Sequence, residues 1–157
     1  MNTTIAKSHT AAKSEKLVKQ LNQLLADYQL YYQNLRGFHW NVKGHLFFHL
    51  HDKFESLYKE ANETVDEIAE RVRALGAIPL HTLEDYFQQA QLTSAKNISD
   101  GEEAVQVTLK NSQVLLHDLK EVLHLADEQN DEATLTLISD LITDTEKRIW
   151  MLKAFLS

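Results

Sequence analysis

Apolar residues recur along most of this chain at intervals of three and four, the period of helices that bury one face. Leu17, Leu21, Leu24, Tyr28, Tyr31, Leu35 and His39 share one face of a first helix predicted from Ser14 to Asn41. Phe47, Phe54, Leu57, Tyr58, Ala61, Val65, Ile68, Val72 and Leu75 form the stripe of a second. It is expected to run from Phe47 to Leu75 and to stop at Gly76, a residue suited to the turn after a helix, with Pro79 blocking continuation. Val105, Leu109, Leu116, Leu119 and Leu123, with Ala126 at the edge, predict a third helix opened by a capping-box pair, Ser99 and Glu102. Leu135, Ile138, Ile142, Ile149 and Leu152 predict a fourth, ending near Leu156 after a polar connection at Asp127–Asn130. Between the second and third helices lie roughly 20 residues, too many for a bare loop in a compact domain. Thr82 with Asp85 marks a start there, and Leu83, Tyr86, Phe87 and Ala90 give a short amphipathic helix. The expected fold is all-α: a four-helix bundle with a short extra helix in a long crossover between helices two and three.

Composition narrows the picture. The 157 residues include one proline and four glycines, consistent with long helices in a single domain over residues 15–157. Residues 1–14 are polar and without apolar period, so a flexible tail is expected there. There is no cysteine, which removes disulfides and thiolate metal sites and fits a reducing cytoplasm. No apolar run approaches the roughly 20 residues that span a bilayer, so a cytoplasmic protein without membrane contact is expected. A formal net charge of −7 argues against a broadly DNA-binding surface and suits a protein that attracts cations. Lys7, Lys13, Lys16 and Lys19 nevertheless make the N-terminal end locally basic, which is compatible with weak, salt-sensitive DNA binding. No glycine-rich phosphate loop or nucleophile–base arrangement is present.

The segment Gly37–Val72 carries the chemistry. On a helix at about 100° per residue, His51 at 0° puts Glu55 near ~40°, Asp66 near ~60° and Glu70 near ~100°. The apolar stripe lies at roughly 240–340° on that scale, so the polar set flanks the core. His51 and Asp66 are fifteen residues apart, or about 22 Å along the axis at roughly 1.5 Å per residue. Metal bonds to nitrogen and oxygen are about 2.0–2.6 Å, so one ion cannot join them within one helix. The set splits into an upper half, His51 and Glu55, and a lower half, Asp66 and Glu70. Two copies paired antiparallel about an axis near residues 60–61 would bring unlike halves together and create two sites. Chain reversal at Gly44 adds His39 to the upper half. Histidine with carboxylate and no thiolate suits iron or another borderline divalent metal. A single such residue is ordinarily just solvated; the weight rests on five that converge.

A rival cluster, His117, Glu121 and His124, falls about 100–160° from Val105 around the third helix, outside its stripe, and no second Glu-x-x-His accompanies it. These three are read as surface residues. Asp127, Asp131 and Glu132 crowd the turn before the fourth helix, where carboxylates cap and complement the helix dipole.

At His39-Trp40, His51, Glu55, Asp66 and Glu70 the sequence resembles the Dps family, the mini-ferritins (DNA-binding proteins from starved cells). HWNVKG, FFHLHDKFESLY, VDEIAERVRALG and the terminal EKRIWMLKAFL carry the likeness from about residue 15 to the end. The resemblance implies a ferritin-like bundle assembled into a homo-dodecamer. It implies ferroxidase iron sites shared across two-fold interfaces, with His39, His51 and Glu55 from one subunit and Asp66 and Glu70 from another. It further implies oxidation of Fe(II), preferably by hydrogen peroxide but also by oxygen, storage of ferric oxide, and protection against oxidative stress. No organic cofactor is expected. By the same resemblance Trp40 would stand beside the ferroxidase site, and Asp127, Asp131 and Glu132 would line acidic pores. The alternative is a DNA-binding, nucleoid-compacting protein for which iron sequestration is secondary.

Overall fold

The computed structural model describes residues 2–157, with side chains from Glu15 onward. The tail expected over residues 1–14 therefore falls outside the described side chains. Four long helices, α1 (Asn2–Asn41), α2 (Phe47–Ala74), α4 (Gly101–Asp127) and α5 (Glu132–Phe155), form a bundle, and the short α3 (Leu83–Gln89) sits in the crossover. α1 packs against α2, α4 and α3, and α4 packs against α5. The architecture is the expected all-α, ferritin-like one.

The first helix buries the face its spacing predicts: Leu17, Leu21, Leu24, Tyr28, Tyr31, Leu35 and His39 are all buried. Phe38 and Phe54 meet with ring centroids 5.4 Å apart and hold α1 and α2 in register. Each such buried aromatic or leucine contributes about 1.5–3 kcal/mol from its removal from water. The ends of α2 are set by glycines in the left-handed region, Gly44 at φ 105° and Gly76 at φ 82°. After α2, Gly76 N–H donates to Arg73 O at 2.9 Å and Ala77 N–H to Val72 O at 3.1 Å, closing the helix as the sequence foretold.

Two sequence expectations are corrected. Asp100, not Ser99, caps α4, its side chain accepting from Glu103 N–H at 2.8 Å. Ser99 lies one residue too early, where its carbonyl accepts from Lys43 N–H at 2.9 Å and ties the crossover's end to the α1–α2 turn. The buried line of α4 is also rotated from the leucine stripe. Thr108, Asn111, Ser112, Leu115, Asp118 and Val122 are buried, while Leu109, Leu116 and Leu123 are only half-buried. Thr108 and Ser112 return their hydroxyls to Ala104 O at 2.7 Å and Thr108 O at 2.8 Å, so they enter the core already satisfied. In α5 likewise, Thr134 and Thr145 are buried and Leu135 and Ile142 half-buried.

The crossover follows a path dictated by α1. Asn22 accepts Leu80 N–H at 2.9 Å, Asp27 accepts Gln91 and Leu92 N–H at 2.7 and 2.8 Å, and Asn34 accepts Ala95 N–H at 2.8 Å while donating to Thr93 O at 2.9 Å. Three polar side chains of one helix thus satisfy backbone groups that would otherwise lack partners. Among the described residues, no helix is long and apolar enough to cross a membrane.

Candidate metal centre

His39 lies in the last turn of α1 and His51 near the start of α2. The left-handed Gly44, whose carbonyl accepts Phe47 N–H at 3.1 Å, turns the chain so that the two histidines face each other. His39 Nδ1 donates to His51 O at 2.8 Å, and His51 Nδ1 donates to His39 O at 2.9 Å. A carbonyl can only accept, so both Nδ1 atoms carry a proton, and in the neutral rings the free lone pairs lie on the Nε2 atoms. That tautomer is the one a metal requires, and the second nitrogen's hydrogen bond fixes the ring's orientation.

The rings stack, with centroids 3.8 Å apart at 21°. Phe47 stacks on His51 at 5.1 Å, and Tyr58 meets His39 edge-on at 5.4 Å. His39 is 8% exposed, so the site has an apolar back wall. Glu55, one turn beyond His51, completes a trio in which one ligand atom from each lies within 4.8 Å of the others. Three ligands on one ion with bonds of about 2.1 Å stand roughly 3.0–3.4 Å apart, so closure on an ion draws these side chains closer together.

Glu55 is also ion-paired with Lys59, one turn further along α2. The hydrogen bond from Lys59, followed by its charge, holds the Glu55 carboxyl below the usual carboxylate range. The carboxylate therefore stays ionised and ready to meet a cation, with the Lys59 ammonium as its present partner.

Asp66 and Glu70 are exposed on α2 and do not approach the trio within one chain. Among the described residues, His39, His51 and Glu55 are the only histidine–carboxylate group of three or more close enough to hold an ion. The rival residues His117, Glu121 and His124 are exposed and form no such group. Trp40 is 57% exposed with the Arg36 guanidinium 4.7 Å over its ring. The rings against the histidines are Phe47 and Tyr58, which the sequence pattern assigned only to the core stripe. Lys59 was also missed, although its place four residues after Glu55 on a helix is a readable ion-pair signal.

The expected pore residues divide. Asp127 and Glu132 are exposed. Asp131 is half-buried: it caps α5, accepting Thr134 N–H at 3.1 Å, and both its carboxylate oxygens accept from Arg71 Nη2 at 2.9 Å. Its carboxylate joins the end of α2 to the start of α5.

The ferritin-like domain family matches residues 18–157. DNA protection during starvation protein 2 of Bacillus anthracis is 37% identical over 144 residues, spanning 92% of this chain and 99% of that protein. Among solved structures, a DPS protein of Vibrio cholerae O1 superposes with a TM-score of 0.91 at 42% identity, covering 93% of this chain and 92% of that one. It is described as a member of a broad superfamily of ferritin-like diiron-carboxylate proteins. A Dps protein of Bacillus brevis superposes with a TM-score of 0.90 at 36% identity, covering 93% of this chain and 98% of that one. With bundle, crossover and identity agreeing over nearly the whole length, the chain belongs to the Dps family of ferritin-like proteins.

Proposed function

We propose that this protein is a ferroxidase and iron store, with Fe(II) as substrate at a site completed by a second copy of the chain. The supporting observation is the reciprocal pair of histidine–carbonyl hydrogen bonds, which occupies both Nδ1 atoms, with one ligand atom each of His39, His51 and Glu55 within 4.8 Å of the others. The imidazoles suit Fe(II), and the hard carboxylate oxygens suit the ion as it becomes Fe(III). Asp66 and Glu70 of a two-fold partner supply the opposite wall. Two ferrous ions give one electron each to hydrogen peroxide; its O–O bond breaks, and with two waters the products are two units of ferric oxyhydroxide and four protons. Delivering both electrons together limits release of hydroxyl radical. A dodecameric shell would hold the mineral, and Asp127 and Glu132 would draw cations towards it.

The relatives' printed names speak of DNA protection. Consuming iron and peroxide protects DNA without touching it, and the net charge of −7 favours that route over direct coating. The test is anaerobic Fe(II) titration followed by peroxide, recording ferric absorbance and peroxide consumed. One peroxide used per two Fe(II), with saturation at low iron, is expected. Iron oxidation no faster than in buffer would reject the proposal.

A further inference from the structure

α1 and α4 each turn a carboxylate into the same buried space beneath the crossover. Asp27 is fully buried; its Oδ1 accepts Gln91 and Leu92 N–H at 2.7 and 2.8 Å, and its Oδ2 accepts Gln23 Nε2 at 2.9 Å. Asp118 is 1% exposed, and its Oδ1 accepts Nε2 of the same Gln91 at 2.9 Å. Its Oδ2 is buried with no partner. Gln91 is therefore held to one carboxylate by its backbone and to the other by its side chain.

Two ionised carboxylates in this position would be disfavoured twice, by lost hydration and by like charge. A proton on Asp118 relieves both. Burial first, then the charge of Asp27, push the Asp118 carboxyl up to about 6, against the lowering effects of Gln91 and His117. The charged groups acting on Asp118 are Asp27 from α1 and His117 beside it on α4; the crossover presents the neutral Gln91 amide.

We propose that a proton carried by Asp118 on its otherwise unpartnered Oδ2 forms an acid latch that fastens the crossover to α1 and α4. With the proton in place, Asp118 donates towards Asp27 and both residues keep their grip on Gln91. When it leaves, two buried negative charges oppose each other beneath the same residue, and the segment around Gln91 and Leu92 opens more readily. The sign follows from the raised value: the folded chain holds a proton that the open chain releases. The latch is at full strength below about pH 4 and is lost as pH rises through about 6. None of the proposed iron ligands takes part.

Hydrogen exchange of the assembled full-length protein tests this, read by mass spectrometry on peptides spanning Gln91 and Leu92 and corrected for the intrinsic pH dependence of exchange. Protection of these amides should fall about tenfold between pH 5 and pH 7.5. In Asp118→Asn, whose amide accepts from Gln91 and donates to Asp27 at any pH, protection should stay high and flat. A flat profile in the parent, or the same slope in the variant, overturns the latch. Should the variant fail to fold, infrared spectroscopy of the parent decides: a protonated-carboxyl band that disappears near pH 6 is expected, and its absence at pH 5 refutes the proton on Asp118.

Discussion

His39 and His51 each protonate the nitrogen that faces the other's backbone, in hydrogen bonds of 2.8 and 2.9 Å, so neither ring can turn without breaking the link between α1 and α2. The same bonds that close the helical hairpin fix the orientation of both rings. Structure and chemistry share these two residues.

Replacing His39 and His51 together by glycine should remove fast peroxide-driven iron oxidation, lowering the initial rate at low iron by at least ~100-fold if the site supplies positioned ligands of this kind. Phe38, Phe54 and the rest of the α1–α2 contact remain, so assembly should survive. Unchanged initial rates in a correctly assembled variant would show that oxidation occurs elsewhere.

The separation of about 22 Å between the two halves on α2 gives a mixing test. One variant lacks His39, His51 and Glu55; the other lacks Asp66 and Glu70. Each alone should be inactive. Co-assembled at random, about half the two-fold pairs are mixed and each regains one of two sites, so roughly a quarter of parent activity should return. No recovery in shells shown to be mixed by native mass spectrometry would exclude a shared site.

Asp127→Asn with Glu132→Gln should slow iron uptake and make it less sensitive to ionic strength, because exposed carboxylates attract cations through a field that salt screens. Asp131 is left intact in this variant because its oxygens are committed to Arg71 and Thr134. Identical uptake at low salt would mean that Asp127 and Glu132 have no part in guiding iron.

Asp131→Ala tests stability. Burial alone would raise the Asp131 carboxyl, but hydrogen bonds from Thr134 and the hydrogen bond and charge of Arg71 outweigh it and hold the group below its usual range. A depressed value contributes stability above about pH 4 that is lost as pH falls through the folded value. Losing the cap and leaving Arg71 without its partner should cost about 2–4 kcal/mol at pH 7. The gap in thermal stability between parent and variant should narrow as pH drops below 4. A constant gap would mean that the ion pair adds nothing beyond packing.

What the sequence disclosed depends on how strongly each feature is written in apolar period. The buried face of α1, the Gly76 stop and the convergence of His39, His51 and Glu55 were legible because leucine spacing, a lone glycine and rare histidines are strong signals. The rotated face of α4 was not. Thr108 and Ser112 look polar in a string of letters, yet they bury themselves by bonding to their own helix. Asp27 and Asn34 were invisible for the opposite reason: they sit on a buried face, and only the crossover's path reveals what they hold. Asp131 was noticed for its charge, whereas its geometry makes it a joint between α2 and α5.

α1 holds the crossover through main-chain atoms, with Asn22, Asp27 and Asn34 gripping amides and carbonyls rather than side chains. The route of that segment is thereby uncoupled from the identity of its outward residues. The side chains of Ile78, Leu83 and Phe87 are largely exposed on the single chain and take no part in these bonds. The crossover is thus a strip on a fixed mount, its route set by polar side chains of α1 and its outward side chains outside the bonds that set it.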